Sequence, residues 1–238
     1  MKRKFHTLFV YFFLGASVFS QNCDTDLSLF KQNLKSHILS DKFKVEDFTI
    51  NNFDVDNDVK ILLEKLTDEG SWSDIDYTDN SHARWIPALH WKRILKLSEL
   101  LNDKRSKYYG DTIISKRVLE AMGFWTITKP VSLNYWWNAV GVPLYMGPAC
   151  LLLEDKIPTS LKLKITSLLN MGVKPTYYDF SGKTATGQNL LWIANAHLYS
   201  SLLQNNREGI DRVFSAVANE IKITENEGIQ PDFSFHQH

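Results

Sequence analysis

The sequence predicts an all-α chain, and three observations carry that expectation. Apolar residues recur at helical spacing in several stretches, the links between those stretches are brief and polar, and no convincing period-two alternation is present. Short links between helices require antiparallel neighbours. The chain therefore reads as antiparallel helical hairpins, suggesting an incomplete (α/α) toroid, with a plain helical bundle as the alternative.

The elements follow in order. Val59 to Leu66 reads as a helix, and Trp85 to Leu101 as another that is apolar nearly all round, as expected of a helix covered on several sides. Pro158 and Thr159 open a third, marked by Leu161, Ile165, Leu168 and Leu169. Leu191, Ala194, Leu198 and Leu202 line one face of a fourth, and Ile210, Val213, Phe214, Val217 and Ile221 one face of a fifth. The links Asn102 to Lys107 and Gln204 to Glu208 are polar, and no exact repeat or Pro/Gly/Ser linker divides the chain.

Residues 1–20 are set apart as an expected secretory leader. Lys2, Arg3 and Lys4 precede a short apolar run from Leu8 to Val18, and Val18 and Ser20 suit the −3 and −1 positions of a cleavage site. The apolar run is short of the ~20 residues a membrane span needs. The mature protein is expected from residue 21 to 238 as one domain, secreted and not held at the membrane. Cleavage takes three of the 27 basic residues and none of the 27 acidic ones, leaving a nearly neutral chain. Such a balance argues against a nucleic-acid partner or an anionic membrane surface. Cys23 and Cys150 are the two cysteines, too few for a disulfide framework.

Several segments could carry chemistry. In "SLNYWWNAVGVP", Tyr135, Trp136 and Trp137 stand between Asn134 and Asn138. Each helical step turns about 100°, so three adjacent rings cannot share one face. At least one should look into a groove, where aromatic faces stack on sugar rings and amides meet hydroxyls; core packing is the plainer reading. In "TATGQNLLWIANAHLYSS", Thr186 reads as an N-cap and Asn189 as a first-turn residue. Free N–H groups and the helix dipole make that end a natural seat for a carboxylate.

Asp74, Asp76 and Asp79 in "GSWSDIDYTD" could supply the carboxylate pair of a glycoside hydrolase, although such residues more often cap turns. His90 and His197 lie within apolar helices and read as core or rim histidines. His236 and His238 have H-x-H spacing but no neighbouring ligands, so no metal site is expected.

Taken together, "NYWWNAVGVP", "TGQN" and "PDFSFHQH" resemble the N-terminal α-helical domain of polysaccharide lyase family 8, whose members include chondroitin AC, hyaluronate and xanthan lyases. The resemblance runs from "GSWSDIDYTDNSHARWIPALHWKRI" to the last residue. It implies a carbon–oxygen lyase that cleaves uronate-containing glycans, chondroitin- or hyaluronan-like, by β-elimination. Donors must offset the uronate carboxylate, a base must take the C5 proton, and an acid must meet the leaving oxygen. Neither step requires a metal or an organic cofactor.

By resemblance, Asn189 neutralises the carboxylate and His238 is the catalytic histidine. Tyr135 and Trp136 match the family's Trp-Trp pair, with Asn134 and Trp137 beside them. Two departures stand out. Tyrosine replaces the first tryptophan, and Asp232-Phe233-Ser234 stands where many members have Asp-Gly-Ser.

The family tyrosine that serves as base and acid follows the histidine, and arginine and glutamate residues come later. Their absence from these residues implies the leading, truncated part of a secreted, monomeric enzyme, inactive by itself and acting on an acidic polysaccharide. The alternatives are a non-catalytic glycan-binding module and a hydrolase using Asp74 and Asp76.

Overall fold

The computed structural model describes residues 25–40, 55–178, 182–225 and 228–236. The expected leader, Cys23 and His238 lie outside the described residues. Helix α1 covers residues 25–38. It is followed by α2 (Val55–Lys65), α3 (Leu89–Asn102), α4 (Thr112–Thr128), α5 (Val142–Leu152), α6 (Thr159–Leu169), α7 (Gly187–Leu203) and α8 (Arg207–Glu220). Two minimal hairpins accompany the helices: β1 (Val173–Lys174) with β2 (Thr176–Tyr177) between α6 and α7, and β3 (Gly228–Ile229) with β4 (Phe235–His236) after α8. Two-residue strands are too short to write an alternation into the sequence.

The all-α expectation holds among the described residues. α3 packs on α5 and α5 on α7, forming one row. α4 lies against α3 and α6, α6 also meets α5 and α7, and α8 covers α7. Composition follows this layering. Every residue of α5 except Leu144 is buried, whereas α8 buries just Gly209 and Val213. A helix enclosed on several sides loses the one-faced pattern that marks a surface helix.

Close approach within the row has a definite cause. A Cβ on Gly147 of α5 would lie 2.4 Å from the Tyr199 ring of α7, so glycine lets the two backbones draw together. On the flank, Asp111 caps α4 by accepting from the Ile113 and Ile114 N–H groups, both at 2.9 Å.

The sequence boundaries shift modestly. The stretch from Trp85 begins as a 3₁₀ turn, Ile86–Ala88, with Pro87 in its first turn, before α3 proper. Helix α1 straps the far end of the bundle. Its Lys31 and Lys35 reach Glu154 just beyond α5 at 3.0 and 2.9 Å, Lys31 also donates to Asn205 between α7 and α8, and Phe30 meets Phe214 of α8 edge to face.

Candidate functional site

The aromatic segment enters the helical row through an irregular turn. Residues 135–136 are α-helical, Trp137–Gly141 form a π turn, and α5 follows without a break. Asn134 starts this helix: its side-chain oxygen accepts from Trp136 N at 3.0 Å, and its amide NH₂ donates to the His82 carbonyl at 3.1 Å. Asn138 is buried and grips the Ser132 backbone, accepting from its N–H at 3.0 Å and donating to its carbonyl at 2.8 Å. The loop before α3 is drawn in as well, through Ser132 Oγ to Ser81 O at 2.7 Å and Leu133 N to Asn80 O at 2.9 Å. These bonds lock the aromatic entry to the "TDNSHARW" loop.

The three rings part as adjacent rings must. Trp137 is buried and tilts against Trp85, while Tyr135 and Trp136 are half-buried. Gly141 explains how the indoles of Trp136 and Trp137 fit side by side, since a Cβ there would lie 2.5 Å from one and 2.7 Å from the other. Trp136 then meets Trp192 of α7 with ring centroids 5.7 Å apart and planes at 82°, an edge-to-face geometry.

Trp192 lies three residues after Asn189, so both project from one side of α7. The structure thus joins the aromatic motif to the asparagine-bearing helix through a residue that the sequence reading passed over. Its signal was present in the i, i+3 spacing from Asn189.

The start of α7 differs in detail from the expected cap. Thr186 holds the N-cap position, yet its hydroxyl makes no capping bond. Gly187, with φ of +53°, turns the chain into the helix, and its N–H donates to a carboxylate oxygen of Glu220 at the end of α8. Asn189 is half-buried in this first turn, and among the described residues its side-chain amide has no hydrogen-bond partner.

The segment after α8 forms the β3–β4 hairpin. Gln230 N bonds Ser234 O at 2.8 Å, and Asp232 accepts from Ser234 N and Oγ at 3.0 and 2.7 Å. Phe233, at φ of +65°, occupies the left-handed position that favours glycine. A glycine between Asp232 and Ser234 would adopt this conformation without the strain that Phe233 carries. His236 is exposed on β4.

The remaining candidates are structural. Asp74 takes a bidentate bond from Arg93 at 2.6 and 2.9 Å and a third from Lys65 at 2.9 Å, and these cations hold its carboxyl far below the usual range. Asp76 accepts from Thr78 Oγ1 and N, and those bonds lower its pKa too. Asp79 accepts from Ser81 N and Ile86 N. Asp74 and Asp76 are thus held ionised, and neither is the acid kept protonated that a hydrolytic pair requires.

His90 is wholly buried. Because Nε2 faces the Ala121 carbonyl at 2.9 Å, that nitrogen carries the proton, and Nδ1 accepts from the Tyr77 hydroxyl at 2.8 Å. Burial pushes its pKa down to about 3. His197, facing Tyr177 OH at 3.1 Å, is likewise pushed down to about 4 by burial. Cys150 is a free, fully buried thiol whose pKa burial raises.

Layered helices thus bring Trp136, Trp192 and Asn189 to neighbouring positions. The sequence pattern of polysaccharide lyase family 8, N-terminal alpha-helical domain, matches residues 37–238, and the chain belongs to that family.

It is 26% identical over 180 residues to chondroitinase-AC of Pedobacter heparinus, an alignment covering 74% of this chain and 25% of that enzyme. Among solved structures, chondroitinase AC lyase from a study of its oligosaccharide complexes superposes with a TM-score of 0.71 at 24% identity, covering 87% of this chain and 29% of the other. A Paenibacillus xanthan lyase superposes with a TM-score of 0.61 at 14% identity, covering 91% of this chain and 21% of the other. These likenesses carry the fold of the helical domain.

Proposed function

We propose that this chain supplies the substrate-binding helical face of a secreted lyase acting on uronate-containing polysaccharide by β-elimination, within an (α/α) toroid. The meeting of Trp136 with Trp192, one turn from the half-buried Asn189, carries this reading. Tyr135, Trp136 and Trp192 form an apolar platform for sugar faces. Asn189 donates to the uronate carboxylate, offsetting the charge that builds up when the C5 proton leaves. His238 assists that removal. The chondroitinase named among its relatives favours chondroitin as the substrate class.

Calorimetric titration with a chondroitin oligosaccharide and with its carboxyl-reduced counterpart tests the reading. The acidic sugar should bind about tenfold more tightly, and Asn189→Ala should abolish the difference, as loss of a hydrogen bond to a charged group predicts. Equal binding of the two sugars would overturn the proposal. Release of reducing ends without the absorbance of an unsaturated uronate would favour hydrolysis.

A further inference from the structure

A carboxylate in the last turn of a helix opposes that helix's own dipole. Glu220 nevertheless closes α8, where the last turn holds no basic residue. Its carboxylate faces a different helix, accepting the N–H of Gly187 at the start of α7. The negative group unfavourable to α8 thus meets the positive end of α7, where Thr186 provides no side-chain cap. Gly187 is buried, so without Glu220 its N–H would lose this acceptor at substantial cost.

Two segments of the site converge on this one bond. Asn189 lies two residues after Gly187. On the other side, α8 ends at Glu220 and the chain enters the segment that pairs Ile223 with Ile229 and forms the β3–β4 hairpin leading towards His238.

We propose that Glu220 is a positioning residue for Asn189: it pins the first turn of α7 to the end of α8 and so fixes where the asparagine amide presents its donor. This rests on the reading that Asn189 holds the uronate carboxylate. Glu220 acts through the helix and does not touch the sugar, so its effect should be confined to ligands that carry a carboxylate.

The test uses the full chain with Glu220→Ala and Glu220→Gln, a chondroitin oligosaccharide and its carboxyl-reduced counterpart. Glu220→Ala should weaken the acidic ligand about tenfold and leave the reduced ligand within about twofold. Glu220→Gln keeps an oxygen acceptor and should restore most of the affinity. The double variant with Asn189→Ala should bind no more weakly than Asn189→Ala alone, as two members of one unit behave.

Equal weakening of both ligands overturns the proposal. So does tighter acidic-ligand binding in both Glu220 variants, which would make Glu220 a repelling charge. Hydrogen exchange provides an arm independent of any sugar: the amides of Gly187 to Leu190 should exchange faster in Glu220→Ala and recover in Glu220→Gln. Unchanged exchange overturns the clamp even if the glycan reading stands. Protected amides in a wild-type chain that binds both sugars equally would remove the glycan reading and leave the clamp.

Discussion

Trp136 and Trp192 meet edge to face at 5.7 Å, joining the irregular entry of α5 to the asparagine-bearing start of α7. Two motifs more than fifty residues apart in the chain become one surface through this contact. The pair also couples function to packing, since both rings rest on the smaller apolar cluster formed by Ala139, Val140, Leu190 and Ile193. A Trp136→Ala and Trp192→Ala double-mutant cycle, read by urea unfolding, should return a coupling of roughly 0.5–1.5 kcal/mol. Additive losses would show that the rings pack independently.

Gly141 should tolerate no side chain. The added Cβ would collide with both Trp136 and Trp137, and bulky indoles in a packed turn cannot yield cheaply. Gly141→Ala is expected to cost about 1–3 kcal/mol and to alter the near-ultraviolet circular dichroism of the tryptophans. An unchanged spectrum with unchanged stability would contradict the packing described for this turn.

Phe233 should be a stability reserve. Its side chain is 81% exposed, so replacing it loses little burial, while its left-handed backbone is strained. Phe233→Gly should give a net gain of roughly 0.5–1 kcal/mol after the added flexibility of glycine is offset. Phe233→Ala, which keeps the strain, should give none. Chemical denaturation of the two variants side by side separates conformation from side-chain loss.

Stability should fall on mild acidification through His90 and His197. Their folded pKa values, about 3 and about 4, lie below the ordinary 6.5, so the unfolded chain binds more protons in between. Stability from this source is complete above pH 6.5 and declines as the pH falls towards those values. Glu99 opposes the trend: burial raises its carboxyl from the usual 4.5 to about 7, and stability from this source falls as pH rises across that interval. Glu99→Gln should therefore steepen the acid loss between pH 4.5 and 6.5. Thermal midpoints recorded across that range for wild type and variant decide the matter, and parallel curves would refute the assignment.

Much of the helical layout was legible because α6, α7 and α8 each carry enough periodic apolar residues to show a face. α4 and α5 show no clean helical face in the sequence, for different reasons. α5 is buried on nearly all sides and so shows no face. α4 exposes Ile113 and Ile127, which blur its polar side. That the start of α7 gathers unpaired backbone N–H groups follows from the helix end itself. That Glu220 already reaches the Gly187 N–H does not, because it depends on how α8 returns alongside α7.

The sequence by itself determined the all-helical class, the family and the three motif blocks, since these depend on local periodicity and on residue order. Tertiary structure alone decided that Trp192 joins the aromatic surface, that Asn134 spends its amide on the His82 loop, and that Asp74 is neutralised by Arg93 and Lys65. Each of those outcomes is a contact between different elements of the chain, nine residues apart for Lys65 and Asp74 and fifty-two for Asn134 and His82. Such contacts are set by the way whole helices pack, and no local pattern of residues records that arrangement.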